Sequence, residues 1–193
     1  MTRGISAGAL IAFTLVSGWA ASAQQPPADD GPRYSNGTNL IRPTNYREWV
    51  FLSSGLGMTY EPPSANPRQP TFGNVFVNPS SYRSFMKTGK WPDKTIFVLE
   101  FRNSDSEGSI NKSGRYQTGL AAVEAEVKDS RFPDGWAFFN FRDGAAAEPL
   151  SATDSASCVE CHTKNTAVER TFVQFYPTLL EVARRMGTVK PGF

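Results

Sequence analysis

The chain has 193 residues, a formal net charge of +2 and 20% charged residues, with acids and bases interspersed. Because no long block of like charge occurs, the composition gives no indication of nucleic-acid or polyanion binding. The hydrophobic content of 39% is enough for the core of one domain. Two Cys residues and a single His restrict metal and redox sites to very few combinations.

Residues 1–23 have the features of a secretory signal peptide. Arg3 supplies the positive start, residues 5–19 form an apolar core rich in small residues, and an Ala-Ser-Ala sequence ends at Ala23. The apolar run is short for a membrane span, although an uncleaved anchor is the alternative. We expect cleavage after Ala23, export to a bacterial periplasm, and no membrane span in the mature chain.

The first part of the mature chain is predicted to alternate irregular segments with short elements. Residues 24–39, rich in Pro, Gly, Asp and Asn, predict a flexible leader. Residues 45–54 predict a helix, because Asn45 is followed three residues later by Glu in a capping-box pattern. The four prolines of residues 61–71 predict a loop, and the aromatic and β-branched residues of 72–77 predict a strand.

A second helix and three strands are predicted next. Asn78-Pro79 has the residue types of a helix cap and first turn, and Gly89 can end that helix. Alternation of side chains predicts a strand over residues 95–102. Residues 120–127 also alternate, which favours a strand over the helix that their Ala and Glu content permits. A further strand is predicted at residues 136–141.

The C-terminal part is predicted to contain a loop at residues 142–157 and a last helix at residues 178–186. Apolar side chains of that helix are expected to face inward: Leu179, Leu180, Val182, Ala183 and Met186. The connections at residues 103–115 and 128–135 suit antiparallel pairing. We therefore predict an α+β fold, with a mainly antiparallel β-sheet and flanking helices in a single domain.

Cys158-Val159-Glu160-Cys161-His162 contains both Cys residues and the only His of the chain. Cys-x-x-Cys-His is the attachment signature of a c-type haem. Cys158 and Cys161 are then the covalent anchors, and His162 is the proximal axial ligand of the iron. A zinc site lacks the further ligands that it needs, since no other Cys or His exists. A structural disulfide or a redox dithiol stays open, but neither explains the adjacent His.

The sixth position of such an iron cannot be taken by a second His, so it is empty or filled by Met, Lys, the chain's amine or an added small molecule. Beyond the initiator, the candidate sulfur ligands are Met58, Met86 and Met186. Methionine and histidine together ligate the haem of many electron carriers. A single Met is more often a filler of the hydrophobic core, and we favour that interpretation for all three residues. The iron is therefore expected to be five-coordinate.

Six short segments resemble the cytochrome P-460 family and occur in that family's order around Cys158–His162. The similarity spans nearly all of residues 40–180. It implies a small periplasmic monohaem cytochrome with a mainly antiparallel β fold, the haem packed on the sheet, and typically a homodimer. We expect this domain to span residues 40–187, before a tail at residues 188–193. The segments are Tyr46–Val50, Asn74–Pro79, Thr88–Asp93, Val127–Asp129, Gly135–Phe139 and Phe172–Pro177.

The resemblance implies one of two functional branches. One oxidises hydroxylamine with a haem that is cross-linked to a lysine, and the other, cytochrome c′-beta, binds nitric oxide and carbon monoxide without that cross-link. Leu99 stands at the position of the cross-linking lysine, and Gly73 at that of a distal arginine. Both departures favour the c′-beta branch. The nearby Lys87, Lys90 and Lys94 are expected to be solvated.

By the same resemblance, a phenylalanine caps the iron on the distal side. Phe72 and Phe101 are the first candidates for this cap and Phe97 is the next, with Leu99 in the same pocket. An apolar pocket favours nitric oxide and carbon monoxide over polarised dioxygen. Hydroxylamine oxidation is the alternative function, and it needs a distal acid or base. A simple electron-transfer cytochrome c with a periplasmic partner is the third hypothesis.

Just ahead of the haem motif, the acids are Glu148 and Asp154. They are therefore the candidate acid–base residues of the hydroxylamine hypothesis.

Overall fold

A computed structural model describes Met1, residues 29–59 and residues 69–193. Apart from Met1, the predicted signal peptide with its cleavage site at Ala23 lies outside the described residues. So does most of the predicted loop at residues 61–71. Within the described ranges, no helix is both long and apolar enough to cross a membrane.

Two antiparallel sheets and three helices make up the described part of this single domain. Strands β3 to β7 form a five-stranded sheet in sequence order, and β1, β2 and β8 form a small second sheet. This architecture confirms the predicted α+β fold with a mainly antiparallel sheet. The strands are β1 (Tyr34–Ser35), β2 (Asn39–Ile41), β3 (Val50–Leu56), β4 (Phe72–Val77), β5 (Thr95–Asp105), β6 (Tyr116–Lys128), β7 (Trp136–Asn140) and β8 (Ala146–Ala147); the helices are α1 (Pro79–Thr88), α2 (Ala156–Lys164) and α3 (Pro177–Met186).

The five-stranded sheet is covered on both faces, because successive side chains of a strand point to opposite sides. On one face, Ile96 and Val98 of β5 pack in a core with Leu40 of the small sheet. On the other face, Phe97 packs with Phe85 of α1 and with apolar residues of α3. Further along this second face lie residues that line a cavity, and this is where the functional site is found.

One predicted helix is wrong. Residues 45–54 form a short 3-10 helix, Tyr46–Glu48, followed by β3 rather than a single helix. Asn45 makes no side-chain capping hydrogen bond, and β3 pairs along its length with β4, with a bulge between Phe51 and Ser53. Pairing in the sheet outweighs a weak local helix preference, since β-branched residues, Ser and Gly are poor helix formers.

Three further predictions need correction. Within the predicted leader, Tyr34–Ser35 forms β1 and pairs with β2. Strand β5 extends to Asp105, so the predicted loop at 103–115 is shorter. Met186, expected to face inward, has a relative exposure of 43% because it lies at the last turn of α3, against Gly89 at the edge of the core.

Candidate haem site

Helix α2 carries the whole Cys-x-x-Cys-His sequence. Cys158, Cys161 and His162 lie three and four residues apart, which places them on one side of a helix. Both thiols are free and half-buried. Burial raises the pKa of Cys158, which is the opposite of the lowered pKa of a reactive redox dithiol. The structure therefore gives no support to the disulfide and redox-dithiol alternatives.

The imidazole of His162 is held in a defined orientation. Its Nδ1 lies 2.8 Å from the carbonyl oxygen of Arg170 and 3.1 Å from Oε1 of Glu126. Because a carbonyl can only accept, we assign the proton to Nδ1, which leaves the lone pair of Nε2 available for a metal. Rings of Phe138 and Phe172 pack edge-on against it, with centroids at 4.9 Å and 4.7 Å.

The contact between His162 and Glu126 shapes the electrostatics of this side. Burial alone would lower the pKa of His162, but the hydrogen bond and charge of Glu126, with the Arg170 carbonyl, outweigh it and raise the pKa. Burial raises the pKa of Glu126, against the opposing effect of His162 and Arg170. A carboxyl group on the second nitrogen of a ligating imidazole fixes its tautomer and increases its basicity.

A cavity of about 290 Å³ opens beside His162, over the sheet. Phe97, Leu99 and Phe101 of β5 all line it, so three of the four predicted pocket residues are brought together. The fourth, Phe72, is not among the lining residues. It pairs with Arg102 and belongs to the opposite face of β4, which corrects its assignment as a cap.

Glycines keep part of the cavity wall open. A Cβ atom at Gly73 would lie 3.5 Å from Leu99 Cδ1 and 3.7 Å from Phe101 Cε1, so both side chains lie over this residue. At Gly55, the thioether of Met58 occupies the space that a side chain would need. Larger residues at these two positions would therefore displace the side chains that line the cavity.

Two carboxyl groups that sequence reasoning did not assign to the site also line the cavity. Glu124 and Glu126 of β6 lie directly opposite Leu99 and Phe97 of β5. Glu124 Oε1 accepts a hydrogen bond of 3.1 Å from Asn140 Nδ2, and burial raises the pKa of Glu124. The signal was present in the alternation of residues 123–127, whose glutamates share one face of the strand.

The acids suggested ahead of the haem motif lie elsewhere. Glu148 and Asp154 are both exposed, and neither lines the cavity. Asp154 instead accepts a hydrogen bond of 2.7 Å from Ser151 Oγ. If this site uses an acid or base, the structure offers Glu124 and Glu126 for that role.

The three candidate methionines occupy different surroundings. Met86 packs at the edge of the core, whereas Met186 is exposed. Met58 lines the cavity with a relative exposure of 62%, so core packing does not explain it. Of the three, Met58 is the residue that remains a candidate for contact with a bound ligand.

Lysine side chains do not reach the cavity in the described part of the chain. Lys87 and Lys90 are exposed near the end of α1, and Lys94 forms an ion pair with the buried Asp129. The described residues contain no cluster of three or more His, Cys, Asp or Glu side chains that could hold a metal ion.

The donor set fits a haem. A fixed imidazole with a free Nε2 and two thiols lie on one helix beside a cavity with aromatic walls. Comparison with family profiles agrees, since the one described as Cytochrome P460 matches residues 43–173. The chain belongs to the Cytochrome P460 family. No curated protein matches it significantly.

Membership in the cytochrome P-460 family makes the chain a haem-binding cytochrome. The matched residues include the five-stranded sheet and α2, and therefore most of the residues that line the cavity. Helix α3 follows the matched region and covers the second face of the sheet next to α1.

Proposed function

We propose that the protein is a periplasmic monohaem c-type cytochrome that binds nitric oxide and carbon monoxide. Cys158 and Cys161 form the two thioethers, and His162 is the proximal ligand of a five-coordinate iron. The observation that supports this assignment best is the 2.8 Å hydrogen bond from His162 Nδ1 to the Arg170 carbonyl. It orients the ring so that Nε2, rather than Nδ1, is available to the iron.

When bound, the ferrous haem supplies an electron-rich iron at which small diatomic molecules can coordinate. The residues of β5 that line the cavity determine which ligands can approach the iron. Phe97, Leu99 and Phe101 present apolar surface to the cavity, and none of them donates a hydrogen bond. A neutral diatomic ligand loses little solvation in entering such surroundings, whereas a polarised one gains no stabilising partner from these three residues.

Absorption spectroscopy of the purified holoprotein tests this function. We expect a five-coordinate, high-spin ferrous spectrum that changes on addition of nitric oxide or carbon monoxide. A six-coordinate, low-spin ferrous spectrum that neither gas alters would refute gas binding and support simple electron transfer. Met58→Ala tests whether Met58 is the sixth ligand of such an iron. The substitution would convert a six-coordinate spectrum to a five-coordinate one only if the Met58 thioether were that ligand.

Hydroxylamine oxidation is a second candidate, and Glu124 is the observation that favours it. A buried carboxyl group in the cavity with a raised pKa is suited to exchange protons with a bound nitrogen compound. Against it, the family resemblance assigns Leu99 to the position of the cross-linking lysine, and a leucine has no amine that could bond to the haem.

Mass spectrometry and turnover separate the two branches. For gas binding, we expect the mass of residues 24–193 plus one haem held by two thioethers, with little hydroxylamine turnover. A tryptic peptide that joins Lys87, Lys90 or Lys94 to the haem, together with turnover that Glu124→Gln abolishes, would establish the enzyme instead. Asp154→Asn is the matched control, because that exposed carboxylate lies outside the cavity.

Localisation and assembly are part of the same proposal. Cleavage after Ala23 would deliver the chain to the periplasm, where a soluble electron carrier can exchange electrons with the haem. The family resemblance favours a homodimer. Fractionation of cells, N-terminal sequencing and sedimentation of the holoprotein test these points. A cytoplasmic, uncleaved or monomeric protein would each contradict the corresponding part.

A further inference from the structure

Arg170 carries an unexplained polar group next to the proximal side of the site. Its carbonyl oxygen accepts the hydrogen bond from His162 Nδ1, so its side chain begins within a few bonds of the axial ligand. Its Nη1 atom is buried and has no hydrogen-bond partner. Among the described residues, it is the only buried side-chain nitrogen or oxygen without such a partner.

A buried donor without an acceptor is costly, and native proteins almost always provide a partner from the chain, from water or from a ligand. Two acidic side chains of this region already have hydrogen-bond partners of their own. Glu126 is hydrogen-bonded to His162, and Glu169, adjacent to Arg170, accepts from Lys128 Nζ at 3.0 Å and 2.9 Å. The missing acceptor is therefore more simply supplied by a bound group.

The chemistry of the guanidinium indicates what that group is. Arginine presents a planar fork of N–H donors that matches a carboxylate, and such charge-assisted pairs are stronger than neutral hydrogen bonds. A second cation, Lys190, donates a hydrogen bond of 2.9 Å to Thr166 Oγ1. Burial lowers the pKa of Lys190, and the positive charge of Arg170 lowers it further. Two neighbouring positive charges, on Arg170 and Lys190, favour the binding of a negatively charged group.

We propose that Arg170 is a positioning residue that binds a carboxylate of the haem through Nη1. The inference rests on the proposed haem attachment at Cys158 and Cys161. A haem carries two carboxylates at its periphery, away from the vinyl groups that the thiols take up. Arg170 would then act through both its main chain and its side chain: its carbonyl orients His162, and its guanidinium would hold a carboxylate of the haem.

The test uses holoprotein whose haem carboxylates carry a carbon-13 label, so that their infrared bands separate from those of Asp and Glu. Redox difference spectra and midpoint potentials are compared for the wild type, Arg170→Leu and Arg170→Lys. Arg184→Leu, a change at an exposed arginine of α3, is the matched control.

We expect Arg170→Leu to shift the labelled carboxylate bands and to lower the midpoint potential, because a nearby positive charge favours the ferrous over the ferric state. Arg170→Lys should also shift the bands but should lower the midpoint potential less than Arg170→Leu does. Lysine keeps the positive charge but lacks the paired N–H donors of the guanidinium. The control should change neither. If the leucine variant fails to fold, the bands of the lysine variant decide the outcome.

Labelled bands that stay unchanged in both Arg170 variants, while covalent haem is present, would overturn the proposal. Movement of unlabelled protein carboxylate bands alone would also overturn it, and would assign Arg170 to Glu126 instead. Failure of the proposed function is distinguishable. A wild-type protein without covalent haem would show no labelled bands. A holoprotein that binds neither gas would still show whether the labelled carboxylate bands shift in the Arg170 variants.

Discussion

Glu100→Gln tests how the sheet holds the cavity residues in place. Glu100 lies between Leu99 and Phe101 in β5, points away from the cavity, and is only 2% exposed. Its carboxylate accepts hydrogen bonds from Arg102 Nε at 2.7 Å and Arg47 Nη2 at 2.6 Å. Tyr46 and Asn74 also donate to it. Loss of this charge removes the centre of a buried network directly behind the cavity wall.

The magnitude follows from the titration of Glu100. Burial would raise its pKa, but hydrogen bonds from Arg102, Tyr46, Arg47 and Asn74 outweigh burial and lower the pKa from 4.5 to about 2. At about 1.4 kcal/mol per pKa unit, this difference corresponds to about 3 kcal/mol of folding free energy. Because the pKa is lowered on folding, the contribution is fully present above the unfolded value of 4.5 and is lost as pH falls towards about 2.

Urea unfolding followed by circular dichroism measures this contribution. At about pH 7, we expect Glu100→Gln to lower the free energy of unfolding by about 3 kcal/mol, and the gap to the wild type should narrow as pH falls to about 2. Glu107→Gln, at an exposed glutamate, is the matched control and should have little effect. A gap below about 1 kcal/mol at neutral pH, or one independent of pH, would refute this account of the network.

Three further substitutions test the site itself. Cys158→Ala combined with Cys161→Ala should give a chain without covalent haem, so haem that survives acid–acetone extraction would contradict the thioether assignment. His162→Ala should keep the thioethers but lose the iron–histidine vibration in the resonance Raman spectrum, and an unchanged band would exclude this ligand. Phe101→Ala should raise the carbon monoxide on-rate several-fold, since about 1.4 kcal/mol of barrier is tenfold in rate, whereas Phe72→Ala, on the opposite face, is the control. Equal changes in both would place the cap elsewhere, with Phe97 the next residue to test.

The parts of the fold that local chemistry determines were predictable from the sequence. Helices α1 and α3 each begin at a proline and end at a glycine in the left-handed conformation, Gly89 at φ 68° and Gly187 at φ 67°. The alternation in β5 correctly placed Phe97, Leu99 and Phe101 on one face. These signals act within a few residues of the chain, so they are visible without knowledge of its neighbours.

What depends on distant partners was not predictable. Residues 50–56 form a strand because β4 pairs with them, although the local pattern of residues 45–54 suggested a helix. Glu124 and Glu126 resemble the solvated side of a strand in sequence, and only the placement of α2 over the sheet brings the cavity to them. Similarly, Phe72 is as aromatic as Phe101, and the register of β4 alone puts it on the other face.

Glu124 determines how apolar the cavity can be. Glu124 lies opposite Leu99 in the β5–β6 pair, whereas Glu126 is hydrogen-bonded to His162. Because burial raises the pKa of Glu124, its neutral form persists to higher pH than in an exposed glutamate. An ionised carboxylate would retain water that an entering ligand must displace. The carbon monoxide on-rate should therefore fall as pH rises through this pKa.

Glu124→Gln isolates that effect, since the amide keeps the shape of the neutral acid but cannot ionise. Stopped-flow measurements should show a variant whose on-rate keeps its low-pH value across the range, while Glu148→Gln, at an exposed residue, retains the wild-type profile. A wild-type rate that is independent of pH would mean that Glu124 stays in one protonation state. A Glu124→Gln profile that still falls with pH would assign the titration to another group, and either result would remove Glu124 as the control of ligand entry.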